Sequence, residues 1–454
     1  MVTSLSRAAA AAVPALLLLL APLTGCGTDR AQPSAAASPG TSEPAPAAPP
    51  MTAPMTAPMT APVAPGQVGP THARGALLSV EPLRGLDAEQ VRGYLSGQGV
   101  DGSGVRFGVD TSRISYATVD PEGRQTTASA LVATPRTPRT PRTAADRPGG
   151  AVRPLVSWQH GTTAGRDEVA SMSEDSSDRA AAVMFAAAGY VVSAPDYLGL
   201  GTGAGYHPYL DLPSTVTASV DSLRATRALA ERNGPRLDGQ VLVSGHSQGG
   251  QAAMAVGREL RRGAAPEFRL AAVAPIAGPY DVSGTLRTAA TTGIENASAY
   301  LAYFTVAWNR LHHLYDSPAE AFRQPYAASV TELLDGYHSG PDVLAALPAT
   351  PAELFTAEFL HRLANPSGTL AEALAVADGS CDWRPDVPVR LFAASGDRDV
   401  PIANSGFCQR RVRAAGGDAA LIEVGPVDHA TSELRALPQV LAGFDQLTGA
   451  RQGG

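Results

Sequence analysis

Between Val241 and Met254 the chain runs VLVSGHSQGGQAAM: an apolar run, a Gly-x-Ser-x-Gly turn, and a small-residue segment with helical spacing. A strand, sharp turn and helix in that order lift a serine hydroxyl clear of its surroundings, and Ser247 is the candidate nucleophile. In a chain with 46 glycines the pentapeptide alone carries modest weight. A serine hydroxyl also needs a base to take its proton and an acid to orient that base. For a strand–turn–helix elbow those partners follow in the chain order Ser, Asp or Glu, His.

Nine histidines stand at 72, 160, 207, 246, 312, 313, 338, 361 and 429. Only His429, in VGPVDHATSE, follows the strand expected at 388–395, so it is the candidate base. The acid lies in PVRLFAASGDRDVPIANS, which offers two aspartates after that strand. The common pattern G-x-x-D-x-x-V-P, anchored on Val400-Pro401, selects Asp397 with Ala394 in the glycine's place; anchored on Gly396, it selects Asp399. Asp397 is preferred, because Pro388 to Pro401 then has the usual strand-to-proline length. Asp281, after the preceding strand, is a third candidate.

Acyl transfer further requires donors for a developing oxyanion. One is the backbone N–H of Gln248, at a helix N-terminus where the dipole helps. The other is expected in SWQHGTTAG, from the N–H of Thr162, with Thr163 as fallback. His160 is expected to be a structural hydrogen-bonder. Gly245, Gly249 and Gly250 give the clearance a tight elbow needs.

The elements that must position these groups alternate. Strands are expected in GVRFGVDTSRISYATVD, TTASALVATP, VRPLVSWQH, YVVSAPDY, QVLVSG, FRLAAVAPIAG, VPVRLFAAS and DAALIEVG. Helices are expected between and after them: SDRAAAVMFAAAG, a long one from Ser214 or Thr215 to Gly234, QAAMAVGREL, one from about Ala403, and TSELRALPQVLAGFDQL. The alternation predicts an α/β fold with a mostly parallel central sheet flanked by helices. Residues 283 to 380 break the rhythm as several helices rich in aromatics, expected to form a cap inserted before the acid-bearing strand; the other reading is a peripheral helical domain.

The N-terminal part is of another kind. One arginine, an apolar run broken by Pro14, and Leu23-Thr24-Gly25-Cys26 resemble a bacterial lipoprotein signal, with Cys26 the lipidated residue. A simple secretory signal is the alternative. Residues 26–74 are Pro, Ala, Ser and Thr with a threefold MTAP repeat, a composition for an extended stalk. Thr134 to Pro148, carrying Arg136, Arg139, Arg142 and Arg147, is expected to be a solvated loop. The organisation is therefore 1–25 signal peptide, 26–74 stalk, 75–282 and 381–454 a core in two parts, and 283–380 cap.

The chain has 44% apolar and 17% charged residues and a net charge of −7, which gives no reason to expect a nucleic-acid partner. Its 35 basic residues are all arginine. In an exported protein Cys381 and Cys408 would be oxidised together, the alternative being two buried thiols.

With these segments in view the chain resembles the α/β-hydrolases over residues 105 to 448. Within them it is similar to the exported esterases and lipases of the secretory lipase group. QHGTT, APDYLGLG followed by HPYL, GHSQGG, and DRDVPIANS followed by DHA carry the resemblance. It implies carboxylic ester hydrolysis through an acyl-enzyme, on a small-molecule or lipid ester, with no metal or organic cofactor. Asp196 and Tyr197 are expected to support the active-site loops, and His207 and Tyr209 to border the substrate entrance, or all four to be structural. A monomer is expected, touching a membrane only through the lipid anchor. Rival readings are a peptidase or amidase using the same triad, and a non-catalytic surface-binding protein on this fold.

Overall fold

The computed structural model describes residues 72–136, 152–233, 235–291 and 293–449. The expected signal peptide, Cys26, the stalk up to residue 71, Gly234, and Arg139, Arg142 and Arg147 lie outside them. Among the described residues nine strands form one sheet: β1 (Leu77–Leu86), β2 (Gly108–Val119), β3 (Gln125–Arg136), β4 (Arg153–Gln159), β5 (Val191–Pro195), β6 (Leu237–His246), β7 (Arg269–Ile276), β8 (Arg390–Ala393) and β9 (Ala420–Glu423). Their order is β1-β2-β3-β5-β4-β6-β7-β8-β9. The β1/β2, β2/β3 and β3/β5 pairs are antiparallel, and every pair from β5/β4 to β8/β9 is parallel.

The core helices are α1 (Ala88–Gly97), α2 (Ser177–Ala187), α3 (Leu212–Asn233) and α4 (Gln248–Arg261). Between β7 and β8 come α5 (Val282–Thr291), α6 (Ala297–His312), α7 (Pro318–Ala321), α8 (Val330–Leu333), α9 (Gly340–Ala346), α10 (Pro351–Leu354), α11 (Ala357–Ala364) and α12 (Gly368–Asp378). Two more, α13 (Ala403–Ala414) and α14 (His429–Thr448), complete the chain order.

Strand alternation sorts the core into two layers. Val156, Trp158 and Leu242 face α2 and α14, packing against Phe185, Leu437 and Phe444. Leu155, Val241 and Val243 face the other way, onto Leu223 of α3, Met254 of α4 and Val412 of α13. The helices from α5 to α12 bury a cluster of their own around Phe304, Trp308, Phe355 and Phe359. Cys381 and Cys408 are disulfide-bonded, tying the turn after α12 to α13.

Two local expectations are corrected, and two elements were not expected. Helix α3 begins at Leu212, and the Asp211 carboxylate, accepting from Ser214 N at 3.0 Å, caps it in place of Ser214 or Thr215. Strand β1 and helix α1 were not among the expected elements: β1 is almost wholly exposed, and its partner β2 supplies the pairing. His429 is the first residue of α14, capped by Asp428, so the helix starts two residues earlier than its apolar pattern indicated.

Candidate active site

Strand β6 delivers His246 and Ser247 to the start of α4. Ser247 has φ 57° and ψ −123°, a conformation that costs a non-glycine residue on the order of 1 to 3 kcal/mol. Two backbone bonds hold it there: Ser247 N–H donates to Ile276 O at 2.9 Å, and Gly250 N–H to Ser247 O at 2.7 Å. A Cβ on Gly245 would lie 2.4 Å from Gln159 O, and one on Gly249 2.0 Å from the same atom. The end of β4 thus passes too close to the elbow for any side chain.

Across the elbow, His429 Nδ1 donates to Asp397 Oδ2 at 2.6 Å. The other Asp397 oxygen accepts the N–H groups of Asp399 and Val400 at 3.0 and 2.8 Å, so this carboxylate is held by its own loop. Asp399 instead accepts from Asn296 Nδ2 at 2.9 Å and Tyr300 Oη at 2.8 Å, both brought by α6 and the residue before it. Asp281 Oδ1 accepts from Gly284 N at the start of α5. Among the described residues no hydrogen bond or ion pair joins Asp399 or Asp281 to His429. His429 Nε2 is buried without a partner, so no bond to Ser247 Oγ is formed in this state. Such contacts commonly tighten only when substrate binds.

His246, directly before Ser247, sets its ring 4.5 Å from that of His429, tilted by 36°, and places Nε2 3.1 Å from the His429 carbonyl. Burial, then the neighbouring His429, pushes its pKa far below the ordinary value, so it is neutral.

Gln248 opens α4, and its N–H is among the first four of the helix, which have no intrahelical partner. Its side chain donates to His207 Nε2 at 3.2 Å, while His207 Nδ1 donates to Leu198 O at 3.0 Å. Burial pushes His207 down to about 3, which keeps one nitrogen an acceptor. The Thr162 hydroxyl bonds Tyr209 Oη at 2.9 Å, and Tyr303 of α6 donates to Thr163 O at 3.1 Å. His160 lies with Nε2 3.2 Å from Asp196 O, against the ring of Tyr197. The fully buried Asp196 accepts from Ser129 and Ser171, both at 2.6 Å, and fixes the loops around it.

A cavity opens beside Ser247, with Thr162, Tyr209, Thr285, Tyr300 and Asp399 in its wall. The rest is apolar, mostly from α5 and α6. Sequence reading missed Asn296, Tyr300, and the packing of His246 on His429. The interacting partners stand about 100 to 180 residues apart, and no local pattern reports such distances.

A parallel sheet whose β6–α4 turn presents a strained serine to a lined cavity defines an α/β-hydrolase, and the enzyme is a serine ester hydrolase. Residues 178–448 match the secretory lipase family, and the chain belongs to it. Among solved structures, it is similar to the rice cell wall degrading esterase LipA of Xanthomonas oryzae: 29% identity, TM-score 0.73, over 83% of this chain and 99% of that one. A Legionella pneumophila protein assigned as a hydrolase matches at 27% identity with the same coverage and TM-score. Candida antarctica lipase A shares the fold, at 15% identity and TM-score 0.57 over 82% and 83% of the two chains. No curated protein matches by sequence comparison. Family membership points to an exported protein, and among the described residues no helix is long and apolar enough to cross a membrane.

Proposed function

We propose that Ser247, His429 and Asp397 form the catalytic triad, with the N–H groups of Thr162 and Gln248 as oxyanion donors. The reading is supported above all by the 2.6 Å bond from His429 to Asp397, made beside the elbow that carries Ser247. In the reaction, Ser247 Oγ attacks the ester carbon while His429 Nε2 takes its proton. The carbonyl electrons move onto oxygen, where two N–H groups stabilise the charge. Collapse expels the alcohol, which leaves with the proton from His429. Water then attacks the acyl-enzyme with His429 again as base, releasing the acid and restoring Ser247. Asp397 keeps the imidazole in one tautomer and stabilises its cation.

The enzyme works at the outer face of a bacterial cell, cleaved after residue 25, lipidated on Cys26 and held off the membrane by the 26–74 stalk. Two acyl chains suffice for stable anchoring. The segment 283–380 serves as the cap over the cavity.

Ser247→Ala is expected to abolish turnover of p-nitrophenyl esters and labelling by a serine-reactive phosphonate. Retained turnover refutes the triad. Cys26→Ser is expected to stop incorporation of labelled palmitate and release the enzyme from membranes; unchanged labelling refutes the anchor.

A further inference from the structure

Asp399 is the only charged residue lining the cavity among the described residues, and its other walls include Val282, Leu286, Leu301 and Phe304. It is only 8% exposed. Its place is fixed from two sides: its N–H donates to Asp397 Oδ1, and its Oδ1 accepts from both Asn296 and Tyr300. Oδ2 accepts from no donor among the described residues. Oδ2 is not among the buried atoms left without a partner, so solvent reaches it and a ligand donor can take that solvent's place. The triad reading does not use this residue, because Asp397 already holds His429.

We infer that Asp399 binds substrate: its Oδ2 accepts a hydrogen bond from a hydroxyl on the acyl chain, so the preferred esters are hydroxyacyl esters with an apolar remainder. A single free oxygen in an otherwise uncharged cavity matches the one donor of a hydroxyl. An ammonium would bring three donors and find one acceptor. The acyl part is chosen because the same cavity wall holds Ser247, to which that part stays attached through both half-reactions. An acyl chain ending in a carboxylate is repelled by Asp399.

The inference rests on the ester-hydrolase reading, and one experiment separates the two. Methyl decanoate, its 2-hydroxy and 3-hydroxy forms, and monomethyl succinate are hydrolysed with wild type and Asp399→Asn, acid release being titrated. Turnover of methyl decanoate tests the parent reading. Wild type is expected to favour one hydroxylated isomer in kcat/KM by about tenfold or more, the scale of a hydrogen bond to a charged group. Monomethyl succinate is expected to be the poorest substrate. Asp399→Asn is expected to bring the hydroxyl preference close to one. Equal wild-type rates on plain and hydroxylated esters overturn the inference, and that ratio is decisive even if the variant does not fold. A preference kept in full by Asp399→Asn also overturns it. No turnover of any ester overturns the parent reading and the inference together.

Discussion

The imidazole of His246 reaches the backbone carbonyl of His429 at 3.1 Å, linking the residue before the nucleophile to the candidate base across 183 positions. A carbonyl only accepts, and neutral His246 has one ring proton, so that proton sits on Nε2. Nδ1 is then bare and faces Glu433 Oε2 at 3.6 Å. Ser432 Oγ donates to the same His429 carbonyl at 2.6 Å. The start of α14, and with it the His429 ring, is held from behind by the elbow.

His246→Phe keeps a flat ring and removes the bond. In the proposed mechanism kcat is expected to fall about 10- to 100-fold with KM little changed, the cost of a slightly misplaced base. Steady-state kinetics on a soluble ester decide it. A variant with lower Tm but unchanged kcat would make His246 a packing residue only.

Asp397 and Asp399 separate cleanly by their contacts. Asp397→Asn leaves the loop shape but removes the acceptor charge beside His429 Nδ1. All esters are expected to lose on the order of 10³- to 10⁴-fold in kcat, plain and hydroxylated alike. Asp399→Asn is expected to act far less on plain esters, because its contacts run to Asn296 and Tyr300. The reverse order of effects would reassign the acid.

Gly249→Ala tests the close approach of β4 to the elbow. Its Cβ would stand 2.0 Å from Gln159 O and 2.8 Å from His160 O, both backbone atoms that cannot swing away. Either the start of α4 or the turn carrying Thr162 must move. A loss of about 3 kcal/mol or more is expected in chemical unfolding, with kcat reduced in whatever folds. Unchanged stability would show that the elbow has slack.

The buried ionisable groups give the stability a pH optimum. Glu433 is fully buried, and burial, with Asp178, pushes it up to about 8 from an ordinary 4.5. Between those values the folded protein keeps a proton that the unfolded chain has lost, so this stability is present below pH 4.5 and falls as pH rises towards 8. His207 acts oppositely: held down at about 3 by burial against an ordinary 6.5, it makes stability fall as pH drops from 6.5. Tm is expected to peak between about pH 5 and 6.5. Glu433→Gln is expected to flatten the alkaline side, by an amount on the order of 3 to 5 kcal/mol. An alkaline limb as steep in the variant as in wild type would refute this.

The elements that the sequence determined were those with their own periodicity. Buried strands such as VLVSG, and helices closed by glycine such as the one before Gly189, announce themselves because each buries a regular face. The exposed β1 has no such face, and its existence depends on pairing with β2. Ser247 and His429 stand out in the sequence as candidates because an elbow and a chain order confine them to single positions. The two aspartates were separated in the sequence only by the strand-to-proline length that favours Asp397, since they lie two residues apart in the same loop. Only the tertiary structure sends Asp397 towards His429 and Asp399 towards Asn296 and Tyr300. The physical reason is that side-chain direction in an irregular loop is decided by which donors the rest of the fold brings near. Those donors come from α14 on one side and from the α6 region on the other, about 30 residues later and 100 residues earlier in the chain.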